Sequence, residues 1–194
     1  MKEELARTIR HYNQKGWSPA TSTNYSFRDE TEQIWVSRSG VDKQEFSAAD
    51  FMTINENGEA TGDYAHVRPS AETLIHTQLY ALFPDIKVIL HSHSAFPLVV
   101  TETLDSAISF TGYEVQKGFE GITTHDCTVD IPVFNNTQDM VEFAGWMGAR
   151  QSELKYHCLI IRNHGTYAWG KSLFDAKRHL ETLEYLCYCD YLKA

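Results

Sequence analysis

Two histidines one residue apart, His91 and His93, close the segment Val88-Ile89-Leu90-His91-Ser92-His93-Ser94. Its apolar half reads as a buried strand. Side chains alternate along an extended chain, so the two imidazoles leave on one face and can converge on one ion. Histidine is the commonest zinc ligand, and three protein ligands with an open position mark a catalytic rather than a structural site. His164 offers the third donor: it follows a second apolar strand, Ile160-Ile161, and precedes Gly165, which lets the backbone turn closely. Two strands of parallel type that deliver histidines at their carboxyl ends would aim them at one crevice, where open α/β sheets place ligands. His179, near the inward stripe of the last helix, is the reserve third ligand, and His76 reads as a core or surface histidine.

Carboxylates and anion donors come next. Ser70 is placed to cap a helix, which puts Glu72 in its first turn, where the helix dipole favours a negative charge. Glu114 sits in the long connection after the histidine strand, in Tyr113-Glu114-Val115-Gln116-Lys117-Gly118-Phe119, and loops on rigid scaffolds carry function. The hydroxyl-rich stretch from Gly16 to Ser26 offers N–H and O–H groups to an anion, and Arg38-Ser39-Gly40-Val41-Asp42-Lys43 adds a Ser-Gly turn and a cation, Lys43.

These residues need a frame. Helical spacing over residues 2 to 15 ends at Gly16; strands are predicted at Tyr25 to Arg28, Ile34 to Ser37 and Phe51 to Ile54, with Asn57-Gly58 as a hairpin tip. A helix runs from its Ser70 cap to Pro84, the histidine strand follows, and Ala95 to Thr103 forms a short helix. Residues 106 to 126 read as irregular, and Val129 to Phe134 as an edge strand because Pro132 interrupts it. Thr137 caps a helix to about Leu154, Cys158 to Ile161 is a strand, and Ser172 caps a long helix through Leu192. Early strands and later helix–strand alternation predict one domain over residues 1–194, a three-layer α/β/α arrangement around a central mixed, largely antiparallel sheet.

Bulk properties narrow the partners. The chain has 194 residues, 42% of them hydrophobic and 22% charged, enough for one well-cored domain. A net charge of −9 speaks against non-specific nucleic-acid binding, which needs a basic footprint, but leaves a small anionic substrate open. With no long apolar run and no charged leader pattern, no membrane association is expected and a cytoplasmic location is. The four cysteines, Cys127, Cys158, Cys187 and Cys189, read as reduced small apolar residues.

Five motifs in order make the chain resemble the class II aldolase/adducin-like family: Thr21, Asn24 and Ser26 in a T-x-x-N-x-S loop; Ser39-Gly40; Arg68-Pro69-Ser70-Ala71-Glu72; His91-Ser92-His93-Ser94; and Asn163-His164-Gly165. The resemblance implies an α/β/α fold and one zinc ion per subunit on His91, His93 and His164. It also implies a ketose 1-phosphate substrate, and a homotetramer with sites between neighbouring subunits. Phosphate would be held by Asn24, Ser39, Gly40 and Ser70, with Lys43 adding to them. Gly16 to Thr21, Ser39 to Lys43 and Tyr113 to Gly118 are most similar to the family's dehydrating branch, whose acid–base glutamate falls at Glu114. In the aldolases that role falls at Glu72, so both carboxylates are candidates. One residue departs from the pattern: the family usually has glycine before the loop asparagine, and here it is Thr23. Tyr113, Phe119 and Trp169 are candidates to line a pocket for an apolar substituent of the substrate.

Overall fold

Eight strands form one continuous sheet in a computed structural model that describes residues 1–193. In chain order the elements are α1 (Lys2–Gln14), β1 (Tyr25–Arg28), β2 (Ile34–Ser37), β3 (Phe51–Ile54), α2 (Thr73–Leu82), β4 (Val88–Ser92) and α3 (Ala95–Thr101). They continue with β5 (Ala107–Thr111), β6 (Thr128–Phe134), α4 (Met140–Ala149), β7 (Cys158–Ile161), β8 (Gly165–Gly170) and α5 (Leu173–Tyr191). The strand order is β3-β2-β1-β4-β8-β7-β6-β5. Every pairing is antiparallel except β6 with β7. The sheet is therefore mixed and largely antiparallel, as the element pattern predicts.

Strand alternation builds two cores. Val88 and Leu90 of β4 point with Ile160 and Ala168 toward α1 and α5, whose Leu5, Ile9, Leu180 and Leu183 cover them. Ile89 points the other way with Leu159, Tyr167 and Trp169, under Ile75 and Leu79 of α2 and Phe143 and Met147 of α4. Three layers follow from this two-residue period. Among the described residues no helix is long and apolar enough to cross a membrane, and all four cysteines are free.

Four expectations are corrected. Residues 106 to 126 are not wholly irregular: Ala107–Thr111 forms the edge strand β5, paired with β6 from Ala107↔Pro132 to Thr111↔Thr128. Thus β6 is interior. Pro132 is tolerated because it stands at a changeover, where pairing with β5 ends and pairing with β7, through Val133↔Ile160, begins. The segment after His164 is also a strand, β8, inserted between β4 and β7. The two histidine strands do run parallel, but each pairs with β8 and neither with the other. At helix starts, Asp139 rather than Thr137 caps α4, accepting from the Val141 and Glu142 N–H groups at 3.0 Å each; its last predicted turn is a separate 3-10 segment, Gln151–Tyr156. Ser172 does cap α5.

Candidate metal and substrate site

The register of β4 against β8 pairs His91 with Tyr167 and Ser92 with Thr166. His91 thereby faces the α2 side, where its ring stacks on Tyr167 with centroids 4.0 Å apart. His93 lies just past the strand end, its N–H donating to the Trp17 carbonyl at 2.8 Å, so the Gly16 loop is tied to the histidine segment. His164 comes from the turn of the β7–β8 hairpin. Asn163 there takes a left-handed conformation (φ 53°), which asparagine tolerates. Gly165 is required by space: a Cβ on it would lie 2.1 Å from the Ser92 carbonyl oxygen and 3.0 Å from the His91 ring. Backbone and imidazoles touch there, and only glycine fits.

The three sequence-predicted histidines meet. Their ligand nitrogens lie within 4.8 Å of one another. His91 donates through Nδ1 to the Thr166 carbonyl at 2.9 Å, which turns its Nε2 lone pair into the cluster. The Nε2 atoms of His91 and His93 stand 2.7 Å apart, a separation two lone pairs hold only around a shared proton or cation. A tetrahedral ion with bonds of about 2.0–2.1 Å sets two nitrogens roughly 3.3 Å apart, a small adjustment away. Burial, opposed by Glu72, holds His91 well below the ordinary histidine range. Burial, with His164 beside it, lowers His93 to about 4. Both are therefore neutral near pH 7, the form that ligates metal. Three nitrogen donors with one side open fit a divalent metal.

Glu72 borders the cluster. The chain turns at Ser70–Thr73 before the helix begins, so Ser70 is not the cap: its Oγ accepts only the Glu72 N–H, at 3.3 Å, and Glu72 stands at the cap position. Glu72 makes no capping bond, which leaves its carboxylate free to reach the histidines. Its oxygens lie 3.2 Å from His164 Nε2 and 3.5 Å from His91 Nε2. Tyr167 donates to it at 2.9 Å and the Asn24 amide at 2.5 Å. Burial works to raise this carboxyl, but the His164 hydrogen bond, the electrostatic pull of the His91 and His164 rings and the Asn24 amide outweigh it and hold it well below the usual range.

Behind Glu72 runs a buried chain of donors that the sequence reading missed. His76 bonds through Nε2 to Asn24 Oδ1 and through Nδ1 to Ser26 Oγ at 2.7 Å; Ser26 in turn meets the Tyr80 hydroxyl at 2.9 Å. Burial lowers His76 to about 4. Asn24 and Ser26 were legible as motif residues, but Tyr167 and His76 carried no signal beyond their positions on a strand and a helix.

The remaining candidates are spread. Glu114 lies on a 3-10 turn with its side chain 70% exposed, paired with Lys117 at 2.5 Å and His125 at 3.5 Å, and among the described residues no hydrogen bond or ion pair links it to His91, His93 or His164. Ser39 and Gly40 lie exposed on the turn after β2. Lys43 is neither solvated nor open to a pocket: it is buried, donating to the carbonyls of Val41 at 2.9 Å and Thr21 at 3.5 Å. Thr23, where the resemblance implies glycine, takes φ 69°, a strained conformation for a β-branched residue. Its hydroxyl bonds to Ser22, Ser18 and Tyr25. Phe119 and Trp169 do not share a pocket, since they belong to the cores on opposite faces of the sheet.

Comparison with known proteins agrees with this geometry. The chain is 44% identical over 191 residues to a protein of Picosynechococcus sp. named methylthioribulose-1-phosphate dehydratase, covering 97% of this chain and 90% of that one. Among solved structures it superposes on the Escherichia coli YgbL protein with a TM-score of 0.83 at 20% identity, covering 100% and 89% of the two chains. It superposes on L-fuculose-1-phosphate aldolase from Thermus thermophilus with a TM-score of 0.75 at 20% identity, covering 98% and 95%. At that identity the likeness speaks for the fold alone. Residues 3–191 match the family described as Class II Aldolase and Adducin N-terminal domain, and the chain belongs to it.

Proposed function

We propose that this chain is a metal-dependent lyase, a methylthioribulose-1-phosphate dehydratase. It converts 5-methylthioribulose 1-phosphate to 2,3-diketo-5-methylthiopentyl 1-phosphate and water, a step of methionine salvage. The observation that carries the reading is the 44% identity over 97% of the chain to a relative of that name. The three-histidine cluster supports it. Zinc suits three imidazoles with an open position. When bound, a divalent ion there supplies Lewis-acid polarisation of the substrate's C2 carbonyl and C3 hydroxyl oxygens.

The protein's own groups do the rest. A carboxylate takes the proton from C3, the C4–O bond breaks, and the leaving hydroxide departs as water with a proton from a general acid; the enol left behind becomes the 2,3-diketone. A carboxylate held far below its usual range is a weak base, which suits Glu72 to placing negative charge beside the metal rather than to moving protons. Glu114 is assigned the acid and base role, delivered to the histidines of a neighbouring copy in a homotetramer. Its exposure and its lack of contact with the site of its own chain support that placement. Ser39, Gly40 and Ser70 are assigned to the phosphate. Asn24 donates to Glu72 and Lys43 to the Thr21 carbonyl, so both hold the surrounding segments rather than the phosphate itself. One undivided sheet supports a single domain.

The test is incubation with methylthioribulose 1-phosphate and a panel of ketose 1-phosphates, with products read by mass. A product lighter by one water, from the methylthio substrate alone, is expected. The place of Glu72 among the histidines favours a second reading, the aldol cleavage of a ketose 1-phosphate, as in the aldolases. Two carbon fragments in place of one dehydrated chain would establish it.

A further inference from the structure

A second set of metal-ligand side chains lies at the other end of the β7–β8 hairpin. Glu120, His157 and His179 bring one ligand atom each to within 4.8 Å of one another. His164 follows the last residue of β7, whereas His157 precedes the first, and β8 carries Trp169 four residues beyond Gly165. At about 3.3 Å per residue the two clusters are roughly 13 Å apart along the strand. They share no residue.

The local backbone aims both rings. His157 sits at the end of a 3-10 segment with φ 58°, a left-handed conformation that turns the chain into β7. Its carbonyl accepts the Trp169 N–H at 3.0 Å, and the Trp169 carbonyl accepts His179 Nδ1 at 2.7 Å. One residue of β8 thus registers both histidines. With Nδ1 committed as donor, a neutral His179 presents Nε2 as a pure acceptor, the outer-shell arrangement that metal-ligating histidines use. Glu120 Oε2 lies 3.7 Å from that nitrogen. His157 Nδ1 is buried with no hydrogen-bond partner among the described residues. Buried polar atoms are rarely left unmatched, and an ion or an ordered water is the ordinary explanation.

A cation already stands at this cluster. Arg178 Nη2 is 3.4 Å from His179 Nε2 and 3.5 Å from Glu120 Oε2. Asp175 Oδ1, 3.4 Å away, can keep the guanidinium when it is displaced. We propose that Glu120, His157 and His179 form a second divalent-cation site, with water in the remaining positions. Two imidazoles and one carboxylate select a borderline ion such as zinc over magnesium or calcium. The ion pins the segment after Gly118 to β8 and α5. Gly118 already packs tightly on α5, since a Cβ on it would meet Thr182 Oγ1 at 1.9 Å.

The test is a count of bound zinc. Metal-free full-length protein is titrated with Zn²⁺ alone by calorimetry, beside His91→Ala/His164→Ala, Glu120→Gln and His157→Asn, asparagine being chosen because it tolerates the left-handed backbone. Wild type is expected to bind two equivalents. The double alanine variant is expected to keep one, and Glu120→Gln and His157→Asn each to weaken one of the two by 10-fold or more. A single equivalent in wild type that His91→Ala/His164→Ala abolishes would overturn the proposal, leaving the cluster as the Glu120–Arg178–His179 ion-pair network alone. So would a second equivalent that neither Glu120→Gln nor His157→Asn weakens. Glu120 is exposed, so its variant folds and decides the matter even where the others fail to.

Discussion

Glu72 and Glu184 stand on opposite faces of the same strands and are driven in opposite directions. Glu72, on the α2 side, faces imidazoles, an amide and a phenol, and is held ionised. Glu184, on α5, is 2% exposed and is bonded by hydroxyls, among them Ser94 Oγ and, at 2.9 Å, Thr166 Oγ1. Burial pushes its carboxyl up, with the bonds from Ser94, Ser92 and Thr166 opposing. The alternation of β4 and β8 makes the difference: His91 and Tyr167 turn to one helix layer, Ser92 and Thr166 to the other. Burial acts on both carboxylates, more completely on Glu184, and the different partners widen the gap between them. The α2 face gathers the candidate metal ligands. The α5 face anchors the strand ends that carry them.

Breaking the α2 face at its ligands has the largest expected effect. His164→Ala should remove the metal of this cluster and reduce turnover to background, read by metal analysis and product formation; a fully loaded variant would move the third ligand elsewhere. Next is the proton-transfer assignment. Glu114→Gln is expected to stay folded and loaded while turnover falls by about 10²- to 10⁴-fold. Glu72→Gln is expected instead to weaken metal affinity by about 10-fold, because the carboxylate faces the ligand nitrogens and its negative charge favours a cation there. The reverse pattern would give Glu72 the proton.

The α5 face is probed by pH. The folded-state carboxyl of Glu184 is raised above its unfolded value, so the native state holds the proton more tightly. Its contribution to stability is greatest below the unfolded value, near 4.3, and falls as pH rises through the folded one. Wild type should therefore lose stability relative to Glu184→Gln between pH 4 and pH 8, measured by urea unfolding. A gap that does not change with pH would return Glu184 to an ordinary carboxylate. The smallest effect is expected at Thr23. Thr23→Gly relieves the strain at φ 69° but loses the hydroxyl bonds, so stability should change by less than about 1 kcal/mol. Thr23→Val keeps the strain and loses the bonds, and should destabilise by about 1–2 kcal/mol.

Sequence alone determined the parts of this protein that depend on near neighbours. The period of two placed His91 and His93 on one face, the Asn-His-Gly motif marked the third imidazole, and helix and strand spacing predicted the layers. Pro132 misleads, and the segment after His164 gives no strand signal, each for a physical reason. A proline reads as an edge only until it is known where one partner strand stops and the next begins. A strand such as β8, buried on both faces, carries no alternation to announce it. Tertiary structure decided which residues complete the site, because Glu72, Tyr167 and Asn24 come together through pairings and packing between segments 48 and 95 positions apart. It also decided the titration of each group, because desolvation and charge act through space and not along the chain.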